Sequence, residues 1–408
     1  MPSPERMVTE VLRFAADSDD RTLEDTVCAG IGELIRQLEE TENTDPDLVL
    51  SAVVKAAGEA VRAGFARRAE DPDGWRTPWR VFTAIAAIAP EGLEHSPLRM
   101  AYDLVPADAP DDLEEFPPTS PEGPLLWTWD ELRSRIAVTT AFPDPGRNTP
   151  RWYLWDVDVC TPEPYIAFSG YFAGKNEALK HWLARVGPGI TTRSKWQQVD
   201  DSSGPIVARL LPGDASRFEL DGVAQRYTEC HRSRRLAEEI RYWFDEVGEP
   251  DLDEDDDEDD WEDGRAQDAA AAWAALGPRP LDPAVAPRRF AAWRSEHRPD
   301  VPTLAQDDPT LLLLSKLWFS GRVPEMRVAS CSPHRTAVFV EQCRNTLAAD
   351  IAEQVLALLP DWVAWFGPTT GVRAEFAPLT SLHADGSPHF ADPAGHGLPA
   401  RPDLREEG

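Results

Sequence analysis

Residues 251–263 read Asp-Leu-Asp-Glu-Asp-Asp-Asp-Glu-Asp-Asp-Trp-Glu-Asp, and no apolar core accepts such a segment. Each carboxylate would have to leave water without a partner, which costs far more than the lone Leu252 and Trp261 could return. The run therefore interrupts packing and separates the chain into parts that must find their own cores. The material for cores is there: 408 residues, 42% hydrophobic, with 15 Trp and 15 Phe, enough for two or three domains.

Charge follows the same division. The chain carries a net -31, of which residues 1–124 hold 11 basic and 26 acidic side chains. Residues 125–248 hold 16 and 17, and residues 249–263 hold none and 12. Such a field repels nucleic acid and anionic membranes and attracts a basic protein surface. Direct nucleic-acid binding is not expected. Met1-Pro-Ser-Pro-Glu-Arg lacks the basic start and apolar stretch of a secretory signal, and no run reaches the ~18 apolar residues of a membrane span. Five scattered cysteines without a CxxC suit reduced thiols. The scarcity of Lys beside abundant Arg suits a GC-rich bacterial genome. A cytoplasmic protein is expected.

Periodicity assigns a mixed, mostly α fold with an N-terminal helical bundle, a central α+β unit carrying a small antiparallel sheet, and a C-terminal helical domain. The expected boundaries are a helical domain at 1–102, a Pro-rich acidic linker at 103–124, an α+β domain at 125–248, an acidic linker at 249–265, a helical domain at 266–376 and a disordered tail at 377–408. Asp45-Pro46 and Thr77-Pro78 start helices, since an oxygen-bearing cap followed by Pro suits the first helical position. Thr128 and Glu131 have capping-box spacing and predict a short helix. Strands are predicted at Ile136–Phe142, Trp152–Cys160 and Tyr165–Phe172, then a helix from about Asn176 and a long helix through Tyr227, Leu236, Ile240 and Phe244. After the acidic run come an Ala-rich helix at 266–276, a helix capped by Ser332-Pro333, and helical stretches on either side of a break at Pro360.

Four constellations could carry chemistry. In the acidic run, Asp251, Asp253, Glu254, Asp255, Asp256, Asp257, Glu258, Asp259, Asp260 and Trp261 form a docking segment for a basic partner or a solvated linker; an EF-hand is excluded because the sixth position lacks Gly. Asp156 and Asp158 alternate on one strand face with Cys160, so their Cα atoms lie about 7 Å apart. They are either the wet half of a half-buried strand or the metal-holding pair of a nuclease or hydrolase. Arg226, Arg232, Arg234 and Arg235 form a basic patch on the long helix, read as a charged outer face neutralised by its neighbours or as an anion site masked by the acidic run. Cys331, His334 and Cys343 fit no standard zinc spacing but could begin a metal site. Gly170-Tyr171-Phe172-Ala173-Gly174-Lys175-Asn176 lies between strand and helix but lacks the phosphate-loop spacing and its hydroxyl.

The expectation is a non-enzymatic, cofactor-free interaction or regulatory protein that meets a basic partner through acidic surfaces. A metal-dependent hydrolase centred on Asp156 and Asp158, and an acidic mimic of nucleic acid, are the alternatives.

Overall fold

The computed structural model describes residues 3–42, 45–93, 96–106, 113, 116, 119–145, 147–161, 164–186, 190–201, 203–213, 224–248, 281–320 and 331–372. The acidic run, the Ala-rich stretch at 266–276 and the tail at 377–408 lie outside the described residues.

Five helices open the chain: α1 (Pro4–Ala15), α2 (Asp20–Glu42), α3 (Pro46–Ala66), α4 (Arg76–Ala86) and α5 (Pro97–Leu104). Ser3 caps α1 and Asp45 caps α3, each accepting from a backbone N–H of the first turn with Pro at the start of the helix. Val49, Leu50, Val53, Val54, Ala57 and Val61 recur along one face of α3 and are buried against the stripes of α1, α2 and α4.

The middle of the chain supplies β1 (Leu126–Trp129), β2 (Arg135–Phe142), β3 (Arg151–Asp158), β4 (Tyr165–Phe172), α6 (Lys175–Val186), β5 (Gln197–Gln198), α7 (Gly204–Leu210) and α8 (Ala224–Gly248). The strands form one antiparallel sheet in the order β4-β3-β2-β1-β5, a meander whose first strand also pairs with β5. A bulge between Asp156 and Val157 interrupts the β3–β4 ladder. The last helices described are α9 (Ala286–His297), α10 (Pro309–Trp318), α11 (Pro333–Thr346) and α12 (Ala349–Thr369). The molecule is thus mostly α with one small antiparallel sheet.

Two apolar clusters organise these elements. One is formed by α1–α5 and reaches Tyr227 of α8. The other joins the sheet, α6, α7 and α8 to side chains of α9–α12, including Phe290, Trp318, Phe339, Trp362 and Phe366. α8 belongs to both. Its backbone meets α2 so closely that a Cβ on Gly32 would lie 2.6 Å from the backbone N of Thr228.

Three expectations are corrected. The segment from Thr128 begins no helix: Leu126–Trp129 pairs on both edges as a strand, and Asp130 accepts from Ser134 N, Ser134 Oγ and Arg135 N to form the turn that follows. Pro360 does not end the helix: α12 runs through it without that residue's backbone bond, held by Leu358, Leu359, Trp362 and Val363, which are buried while Pro360 is exposed. The even face of β3 is not wet. Tyr153, Trp155 and Val157 turn toward α8, and Leu154, Asp156 and Asp158 turn toward α6 and α11, so helices cover both faces.

Candidate functional site

Two polar assemblies result from this double cover. The first lies on α8. Arg232, Arg234 and Arg235 are not an outer face: each is less than 9% exposed. Arg232 donates to Glu229 Oε2 at 3.0 Å, to Glu24 Oε1 at 3.0 Å and to Asp25 Oδ1 at 2.6 Å. Arg151, at the start of β3, donates to the same Glu24 oxygen at 3.0 Å and lies 3.7 Å over the ring of Tyr171. Tyr153 completes the group by donating its hydroxyl to Glu229 at 2.7 Å. Arg234 grips both oxygens of Asp47 at the first turn of α3, and Arg235 reaches Glu239 at 2.6 Å and Glu91 at 3.3 Å. Burial alone would favour a neutral Arg232, but the Glu229 and Glu24 carboxylates oppose it and hold its pKa above the ordinary value. The side chain of Arg226 lies outside the described residues.

The physical reason for this arrangement is a matched interface. α2 and the start of α3 bring Glu24, Asp25 and Asp47 to one side, and α8 with β3 brings the arginines to the other. A charge-assisted hydrogen bond in such surroundings is strong, and removing either partner leaves the other buried and uncompensated.

The second assembly lies on the opposite face of the sheet. Asp156 and Asp158 are both buried, but their surroundings differ. Arg135 of β2 holds Asp156 side-on, with Nε 3.0 Å from Oδ1 and a second bond from Nη2 to Oδ2; Trp182 of α6 donates to Oδ1 at 3.0 Å. Asp158 instead accepts from Cys160 N at 2.8 Å and from the Tyr165 hydroxyl at 3.2 Å, and faces His334 Nε2 at 3.2 Å. Burial opposes its ionisation, but His334 and Arg135 outweigh burial and hold its carboxyl well below the usual carboxylate range. The Cys160 sulfur lies 3.5 Å from Ser332 Oγ, and burial pushes its thiol well up.

Ligand atoms of Asp158, Cys160 and His334 all lie within 4.8 Å of one another, and among the described residues this is the one Cys/His/Asp/Glu trio so placed. The structure therefore separates Asp156 from Asp158 by surroundings: one receives Arg135 and Trp182, the other joins a mixed cluster. Of Cys331, His334 and Cys343, His334 enters that cluster; Cys331 and Cys343 are buried thiols elsewhere. Cys160 carries a sequence signal, its alternation with Asp158, but His334 is brought to it only by the docking of α11, whose cap Ser332 is 172 residues away.

No helix among the described residues is long and apolar enough to cross a membrane. Comparison of the chain with protein-family models, with curated proteins and with solved structures finds no match.

Proposed function

We propose that this is a non-enzymatic interaction protein whose segment 251–263 docks onto a basic protein surface. One observation supports this reading above the others: three arginines of α8, the helix that precedes the run, are already matched. Arg232, Arg234 and Arg235 meet carboxylates of α2, α3, the stretch after α4 and α8 itself. They are buried and carry no spare charge for the 12 acids of residues 249–263. Acids that these three arginines do not neutralise keep their field for a partner. A reducing cytoplasm suits the reading, because all five cysteines are buried thiols. The hydrolase reading draws less support, since both Asp156 oxygens already receive N–H donors.

Binding of a Lys- and Arg-rich helical peptide tests this. Fluorescence anisotropy would be followed between about 0.05 and 0.3 M salt, across which the screening length shortens appreciably. Affinity is expected to fall steeply with salt, and at least tenfold when the acids of 251–263 become Asn and Gln. A control variant neutralising the exposed Glu5, Glu59 and Glu70 should bind nearly as the parent does. Equal losses in both variants, or no loss in the first, would overturn the proposal.

A further inference from the structure

Three chemically different donors converge in one buried place: a carboxylate from the last residue of β3, a thiol two residues on, and an imidazole from the first turn of α11. All three are under 5% exposed. His334 Nε2 lies 3.2 Å from Asp158 Oδ2, and no pair of ligand atoms exceeds 4.8 Å. A tetrahedral zinc ion with bonds of about 2.0–2.3 Å holds its ligand atoms roughly 3.3–3.6 Å apart. The three groups need to close by about 1.5 Å at most to surround such an ion. Rigid elements hold them: Asp158 accepts from the Cys160 backbone and from the Tyr165 hydroxyl, and Ser332, which touches the Cys160 sulfur, caps α11 through Arg335 N. Outer partners of this kind orient ligands before a metal arrives.

We infer that Asp158, Cys160 and His334 form a site for one divalent cation of zinc-like character, which ties the end of β3 to the start of α11. The donor set selects the ion. Thiolate and imidazole suit zinc, whereas calcium and magnesium take oxygen ligands. A nucleophilic role for Cys160 fits less well, because the sulfur has no exposed surface for a substrate to reach. The role is structural. Cys160 and Ser332 stand 172 residues apart, and the polar contacts around them join the sheet to the C-terminal helices. Binding would release the Cys160 proton, and the hydrogen that His334 Nε2 directs at Asp158, to solvent, with a sulfur–metal and a nitrogen–metal bond in their stead.

The test uses the full chain, reduced, stripped by a chelator and dialysed against zinc alone. It should retain one equivalent. X-ray absorption at the zinc edge should show one sulfur neighbour with the rest nitrogen or oxygen, and cobalt in place of zinc should give a thiolate-to-metal charge-transfer band. Cys160→Ser should abolish that band, and Cys343→Ser should leave it intact. Should Cys160→Ser fail to fold, Asp158→Asn reports instead, with an expected loss of at least tenfold in affinity. No retained metal, no sulfur neighbour, more than one sulfur neighbour, a band that survives Cys160→Ser, or unchanged affinity in Asp158→Asn would each overturn the site.

Discussion

Arg135 and Asp156 are both fully buried, and the pair is closed further by Trp182. Two ions taken out of water together are held by their mutual attraction and by the remaining hydrogen bond; either alone is left uncompensated. Asp156→Leu and Arg135→Met should each lower unfolding free energy by about 3–5 kcal/mol, and the double variant should lose much less than the sum. Urea unfolding of the four chains measures this, and strictly additive losses would show that the two side chains do not depend on each other. Alternation in β3 made the shared face of Asp156, Asp158 and Cys160 legible in the sequence. What covers that face was not, because Trp182 and His334 arrive from separate helices. Neither the ion pair with Arg135 nor the trio with His334 has a local signature.

At the scale of elements, α8 is where the parts meet. Its arginines face acids that precede them by as many as 208 residues, which no spacing rule connects. Helix and strand extents were far more legible. β4 runs from Tyr165 to Phe172 and α6 begins at Lys175, close to what periodicity predicts. Thr128 misled because a capping-box spacing is weaker than a strand paired on both edges. Two consequences of the α2–α8 contact can be measured. Gly32→Ala places a methyl group within 2.6 Å of the α8 backbone and should cost about 2–3 kcal/mol, read by chemical denaturation; a neutral substitution would mean the helices separate freely. His231 lies buried between Arg234 and Asp47, and burial, reinforced by Arg234, lowers its pKa from 6.5 to about 4. The folded chain then binds fewer protons than the unfolded chain between these values, so stability is full above pH 6.5 and falls as pH drops toward 4. His231→Gln should flatten that limb by on the order of 3 kcal/mol. Identical pH profiles of the two chains would count against a buried neutral imidazole.

For the whole molecule, the distribution of charge matters more than its sum. The net charge is -31, yet much of the positive charge on β2, β3 and α8 is buried against carboxylates. Matching inside the fold leaves Arg232, Arg234 and Arg235 of α8 without charge to spare for the run at 251–263. Had the run neutralised those arginines, it would be part of what holds the molecule together. With these arginines matched elsewhere, the proposed docking role has the run contribute self-repulsion and no cohesion.

Equilibrium unfolding of the chain with and without the acids of 251–263 tests this directly, at low salt where charge effects are largest. With those acids changed to Asn and Gln, the unfolding free energy should stay the same or rise as self-repulsion is relieved. A loss of about 1 kcal/mol or more, on the scale of a surface ion pair or larger, would mean that the run neutralises its own chain and would contradict a docking role.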